Sequence, residues 1–335
     1  MTNGTKSQEH EKSHNAIPPC WLSVNTPGIE KANQPKWIPN VTIDHDSKNI
    51  IPVCPDTYRS AMAPESRTKP GITIGIPYYA SPATLLQQLH NFADYPTELQ
   101  QQMTIIIVDD GSPTGLQARD YLADWDNLDS SFNLRLHIAR ITSNISWNVE
   151  GSRNLAFYLA DTRRGLMLDL DMLLPQESLR KALQWSTIKL GNETHPEKIA
   201  VAHKLNRRKP NGRESIQPAL AVLDIAEYWN SGGLDEDFAG HYGFGTEPFF
   251  WFQWKKGPRE TEFHKDTFLL ELTTDACDAK WIRSKEAIDR CNAARLELPK
   301  LDRDKKPNKS LWRKKKNGRK GWSNSYLRFN WTIDR

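Results

Sequence analysis

The sequence predicts an α/β fold, a mainly parallel sheet with helices on both faces. Three observations predict it. From about residue 71 to residue 172, short apolar runs alternate with segments of helical period, the pattern of βαβ units. One run, residues 104–108 of "MTIIIVDDGS", is apolar without a break, as a strand buried on both faces must be. Polar signatures follow three of the runs directly, at the strand ends where open α/β sheets bind ligands.

The elements follow in order. Residues 1–70 are rich in Pro, Asn, Ser and Lys and keep no period, so an irregular or disordered extension is expected, with apolar anchors at Trp21, Trp37 and residues 50–53. "ITIGIP" (72–77) is a short strand ending in Pro, and "PATLLQQLHNFADY" (82–95) carries helical spacing. "MTIIIVDDGS" (103–112) is a strand closed by two acids and a glycine turn. "LQARDYLADW" (116–125) reads as a helix, "LRLHIAR" (134–140) alternates as a strand, and "VEGSRNLAFYLADTRR" (149–164) has a helix period. "GLMLDLD" (165–171) closes the series. The expected organisation is an extension over 1–70, a core over 71–299 divided into 71–172 and 173–299, and a basic segment over 300–335.

Composition narrows the class. A chain of 335 residues, 26% charged and 38% apolar, is long enough for one large or two ordinary domains. No apolar run has the length of a membrane span, and "MTNGTKSQEHEKSHN" lacks the apolar centre of a signal peptide, so a cytoplasmic protein is expected. Cys20, Cys54, Cys277 and Cys291 are widely spaced and form no CxxC pair; neither a zinc site nor a disulfide framework is expected. The glycosylation sequons at Asn40, Asn144, Asn192, Asn308 and Asn330 are read as chance. The net charge of +4 is uneven: the segment from Lys300 onward carries +10, which leaves the rest mildly acidic. A charge run such as "WRKKKNGRKGW" is usually solvated or disordered.

The run "GLMLDLDMLLP" (165–175) places Asp169 and Asp171 one residue apart at the end of an apolar strand. Residues i and i+2 of a strand share a face. Two carboxylates there repel each other unless a cation or hydrogen-bond donors lie between them. The Asp-x-Asp spacing occurs five times in the chain, and only this pair follows a buried-type strand.

Together "IGIPYYASP", "VDDGS", "WNVEGSRNLAFYLA", "LMLDLDM" and "GGLDEDFAGHYGFGTEP", over about residues 70–272, resemble the family 2 glycosyltransferases with the GT-A fold, a Rossmann-like architecture. The resemblance implies an enzyme of hexosyl- or hexosaminyltransferase type, with Mn²⁺ or Mg²⁺, a UDP-sugar donor and a glycan or other hydroxyl acceptor. It implies that Asp169 and Asp171 hold the metal, with Asp171 as the direct ligand and His264 as a third. Pro77, Tyr78, Tyr79, Asp109, Asp110, Gly111 and Ser112 would form the nucleotide site: an acid accepts the base N–H and a tyrosine stacks on the ring. Arg153, just inside a helix start, would fork onto the diphosphate beside Asp169. The segment 230–251 would form the acceptor side, with Tyr242 and Phe244 as faces for a sugar. An inverting transferase needs one general base. Relatives present it in a Glu-Asp pair; here the pair reads Glu247-Pro248, which makes Glu247 the candidate base and Asp235 its reserve. The alternatives are a retaining transferase or nucleotidyltransferase on a similar sheet, and an inactive module whose basic tail, aromatic-interleaved as in "WRKKKNGRKGWSNSYLRFNW", binds nucleic acid or another anion. The acidic core argues against a nucleic-acid partner.

Overall fold

The structure, a computed structural model, describes residues 67, 69–122, 134–143, 145–190, 198–299, 303–323 and 326–334. Residues 1–66, with the expected anchors at Trp21, Trp37 and 50–53, lie outside the described residues.

The parallel part of the sheet forms where the apolar runs were. β1 (Lys69–Tyr78) pairs in parallel with β2 (Met103–Asp109) and with β4 (Thr162–Met167), and β2 pairs in parallel with β3 (Arg135–Ile141). β2 shows why its run is unbroken. Ile105 and Ile107 enter the core on one face of the sheet, Ile106 and Val108 the core on the other, and all four are fully buried. Helix α1 (Pro82–Ala93) covers the first face with Leu85, Leu86, Leu89 and Phe92. Helix α2 (Val149–Tyr158) covers the second with Leu155, Ala156 and Phe157.

The remaining half is mixed, which corrects the mainly parallel expectation. The sheet continues through β5 (Met172–Leu173), β6 (Ile188–Lys189), β7 (Ile199–Arg208), β8 (Glu214–Asp224), β9 (Arg259–Glu271) and β10 (Trp331–Ile333), in the order β10-β3-β2-β1-β4-β8-β7-β9-β5, with β6 beside β7. The cause is local. At "KPNGR" (209–213) the chain reverses in a tight turn closed by Lys209 N to Arg213 O and Gly212 N to Lys209 O, both 2.9 Å. A tight turn can join only antiparallel neighbours, so β7 and β8 form a hairpin and β8 runs antiparallel to β4.

Two helical expectations shorten. Over 116–125 the described part is one 3₁₀ turn, Ala118–Tyr121. The helix expected to residue 164 ends at Tyr158, because Thr162 already belongs to β4 and its hydroxyl bonds that of Thr73 at 2.7 Å. Helix α3 (Gln176–Gln184) follows β5, and α4 (Ile225–Asn230) follows β8, capped by the Asp224 carboxylate on Glu227 N at 3.1 Å.

The cysteines and the tail also differ from expectation. Cys277 and Cys291 form a disulfide that ties the segment before α5 (Lys285–Leu296) to that helix. The basic segment is neither wholly solvated nor irregular. It builds α6 (Lys306–Lys316) and then β10, whose Trp331 pairs with Ile141 and enters the second core. Asn308 on α6 donates to the carbonyls of Phe238, His241 and Gly243 at 2.7–2.8 Å. Lys315 is fully buried, 2.6 Å from Asp235 and 2.9 Å from Asp237. Among the described residues no helix is long and apolar enough to cross a membrane.

Candidate functional site

The loops leaving β1, β2 and β4 meet at the carboxyl ends of the parallel strands. Gly111 turns the chain after β2 with a φ of +72°, a conformation that costs glycine nothing. Asp109 is buried and spends both oxygens on this turn, accepting from Ser112 N and Ala118 N at 2.8 Å each. Ser112 Oγ in turn accepts from Ala80 N at 3.0 Å. Tyr78 is 1% exposed, and its hydroxyl donates to Leu116 O at 2.6 Å. Three of the expected nucleotide contacts (Tyr78, Asp109, Ser112) thus hold the loop itself, because each side chain points into the turn or the core.

Asp110 and Tyr79 face outward. With Pro77, Ser146 and Trp147 they line a cavity of about 160 Å³. One Asp110 oxygen accepts from Asn148 N at 3.0 Å; the other is buried with no hydrogen-bond partner. Burial, with added repulsion from Asp109 and Glu150, pushes the Asp110 carboxyl up to about 8 against the Asn148 N–H. An unpaired buried acceptor costs roughly 1–3 kcal/mol, and a ligand N–H in the cavity would remove that cost. Trp147 is held over it in a left-handed conformation (φ 53°), its ring 4.7 Å from that of Tyr242.

The aspartate pair divides. Asp169 accepts from Arg153 and, at 3.2 Å, from the Gln217 amide. Arg153 is almost fully buried and also bonds the Thr246 hydroxyl, while its Nε has no hydrogen-bond partner. Asp171, unlike Asp169, is an exposed residue. Desolvation of its carboxyl, then the carboxylates of Asp169 and Glu271 against Arg207, raise it to about 6. Glu271, at the end of β9, gave no signal in the sequence beyond closing an apolar run; it is brought in by the pairing of β5 with β9. The donor set is oxygen only and electrostatically crowded, which fits a hard divalent ion such as Mg²⁺ or Mn²⁺.

Through Arg153 and Thr246 the aspartates connect to Glu247. That residue is half-buried on a groove of about 700 Å³, with Lys204, Phe250, Trp251 and Lys255. Lys204 is buried over the Phe250 ring; burial and then Arg153 hold its ammonium well below its ordinary range, with Glu247 opposing. Asp235, the reserve base, is 1% exposed and is instead a structural acid: it accepts from Asp237 N at 3.0 Å and Ser323 N at 3.2 Å, beside Lys315. Sequence reading missed Glu150, which burial raises to about 7 and which lies against Gly245 so closely that any side chain there would overlap its carboxyl. The signal was an acid in the first turn of a helix, which is too common to single out.

His264, the expected third ligand, is committed elsewhere. Its Nε2 is 2.9 Å from His203 Nδ1 and its ring stacks on Trp185. Neighbouring residues of a strand point to opposite faces, so His203 and Lys204 do, and Lys204 is on the side of Glu247 and Arg153. The group that His264 joins contains neither Asp169 nor Asp171.

The model of the glycosyl transferase family 2 matches residues 73–187, a stretch that takes in β1 to β4, Asp110, Arg153 and the aspartate pair and stops short of Glu247. No curated protein matches the chain. Among solved structures, the mannosyltransferase PcManGT from Pyrobaculum calidifontis in complex with GDP-Man and Mn²⁺ is similar at a TM-score of 0.45 and 17% identity, over 78% of this chain and 87% of that one. TarS 1–349 of S. aureus in complex with UDP-GlcNAc is similar at a TM-score of 0.44 and 14% identity, over 72% of this chain and 70% of that one. The family match spans about a third of the chain and takes in the motifs at the strand ends, and the mixed sheet with its flanking helices is consistent with the GT-A fold.

Proposed function

We infer that the protein is a metal-dependent, inverting glycosyltransferase that moves a sugar from a UDP-sugar to an acceptor hydroxyl. The observation that carries this reading is the unpartnered Asp110 oxygen, which sits in a cavity beside Tyr79 and Trp147 at a strand end. It suits the N–H of a uracil, with Tyr79 on the ring face. Asp171, with Asp169, would hold Mn²⁺ or Mg²⁺, which when bound neutralises the leaving diphosphate as a Lewis acid. Arg153 fixes Asp169 and Thr246 in one arrangement, which keeps the donor end in register with the acceptor groove. Glu247 would take the acceptor proton as general base. With Asp235 buried against Lys315, Glu247 is the one of the two candidate acids that lines the groove. The test is calorimetry with UDP, GDP and CDP in the presence of Mn²⁺, followed by NMR of the transfer product. Preference for UDP and inversion at the anomeric carbon are expected; equal binding of GDP would remove Asp110 from base recognition, and retention would remove Glu247 from its role.

A further inference from the structure

His203 on β7 and Glu262 and His264 on β9 converge on one point, on the far side of the sheet from Glu247. Their ligand atoms all lie within 4.8 Å of one another. His203 Nδ1 is 2.9 Å from His264 Nε2 and 3.4 Å from a Glu262 oxygen, and that oxygen is 4.0 Å from His264 Nε2. Tetrahedral Zn²⁺ with bonds of about 2.0–2.1 Å sets its ligand atoms about 3.3 Å apart, and the three separations bracket that value.

The surroundings prepare the same atoms. His203 and Glu262 are partners across the β7–β9 ladder, and Glu262 and His264, two apart on one strand, share a face. His203 Nε2 lies 3.0 Å from Ser186 O. A carbonyl only accepts, so Nε2 carries the proton and Nδ1 presents its lone pair to the cluster. Lys189 engages the other Glu262 oxygen and leaves the first toward the histidines. Trp185 stacks on both imidazoles, with centroids 3.9 and 5.1 Å away, and fixes their planes. His264 and Glu262 are partly exposed, which gives an ion a way in.

We propose that His203, His264 and Glu262 form a second cation site, for a Zn²⁺-class transition ion, with three protein ligands and a fourth position toward solvent. It is separate in chemistry as well as in place: imidazole selects such ions, whereas the carboxylates of Asp169 and Asp171 suit Mg²⁺ or Mn²⁺. A bound ion would staple β7 to β9 at the point where the Trp185–Ser186 loop meets them.

The test uses the untagged full-length chain, stripped with EDTA and titrated with Co²⁺, then challenged with Zn²⁺. One equivalent of Co²⁺ is expected to bind with the visible absorption of a four-coordinate centre, and Zn²⁺ should displace it. The Asp169→Asn/Asp171→Asn variant should keep this signal. His264→Gln, a change at a partly exposed side chain, should weaken binding by ~10-fold or more, with circular dichroism reporting that the fold persists; Glu262→Gln should do the same if His264→Gln proves unstable. No stoichiometric binding, an unchanged titration in both ligand variants, or loss of the signal in the aspartate variant would each overturn the proposal.

Discussion

Asp109 and Asp110 stand side by side and do opposite work. Asp109 ties Ser112 N and Ala118 N into the turn, so it is part of the loop's framework. Asp110 keeps one buried oxygen without a partner at the cavity. Asp109→Ala should therefore lower stability by about 1–3 kcal/mol, the cost of two abandoned buried N–H groups, read by urea denaturation. Asp110→Ala abandons only the Asn148 N–H and removes an unpaired buried oxygen, so it should cost less stability than Asp109→Ala and weaken UDP by about 3–10-fold, the worth of a hydrogen bond to an uncharged group. A loss of UDP affinity in the first variant at unchanged stability would reverse the two roles. The sequence showed that an acid belongs at this strand end and could not show which, because only the turn decides which carboxylate faces inward. Asp171 supports a pH prediction. Its carboxyl is raised to about 6, and a protonated carboxyl does not ligate a cation, so Mn²⁺ affinity and transfer should fall together as pH drops through about 6. Activity that survives excess EDTA, or an acid limb that ignores Asp171→Asn, would count against it. Glu247→Gln should keep UDP affinity and cut transfer by roughly 10²–10⁴-fold, measured by product formation at saturating donor.

At the scale of elements, the strands that were legible are those buried on both faces. β2 reads as an unbroken apolar run because every residue of it is buried, and β1 and β4 read as apolar over the stretches 72–76 and 165–167 that lie inside the sheet. β7 and β8 were missed because polar and charged residues such as Lys204 and Arg207 interrupt their apolar stretches, and of β9 only the apolar end after His264 had the look of a strand. The hairpin's "PNG" turn was available and was the one local clue to antiparallel pairing. Cysteine spacing misled for a related reason. A 14-residue separation fits no short motif, yet α5 folds back on the segment before it and brings the two sulfurs together. Closing a loop of that length is worth roughly 3 kcal/mol. Cys291→Ser should therefore lower the unfolding free energy by about 2–4 kcal/mol under oxidising conditions, and added reductant should bring the wild type to the level of the variant. A wild type indifferent to reductant would mean that the bond is not formed. Disulfides persist in oxidising compartments, so this measurement also bears on where the protein works.

For the whole molecule, the basic C-terminal segment is the largest departure from what composition suggests, and it packs on the segment 235–243. A run of lysines is normally solvated, and Arg313, Lys314 and Lys316 on α6 are. Lys315 between them is not: helical geometry turns it inward, where its ammonium meets Asp235, Asp237 and the Gly321 carbonyl. Glu236 accepts from the backbone of Leu327 and Arg328, and Arg328 bonds Asp237, so Asp235, Glu236 and Asp237, within the segment expected to form the acceptor side, anchor the tail. Burial alone would raise Asp237; Lys315, Lys320 and Arg328 outweigh it and hold the carboxyl well below the usual range. A lowered carboxyl contributes stability above its unfolded value and loses it as pH falls below, so docking of the tail should be insensitive to pH from about 5 to 8 and weaken in acid. Replacing Lys315 leaves Asp235 buried without its cation. Breaking such a buried pair costs about 3–5 kcal/mol, so Lys315→Met should lower stability by that amount, with little relief from salt because solvent ions do not reach the pair. Asp235→Asn in the Lys315→Met background should recover part of the loss by removing the stranded charge, a coupling that a double-mutant cycle in urea reads directly. If Lys315→Met costs less than about 1 kcal/mol, the level of an exposed ion pair, the tail is not held by this lysine. Asp235 would then be released from its structural role and would return as a candidate for the base.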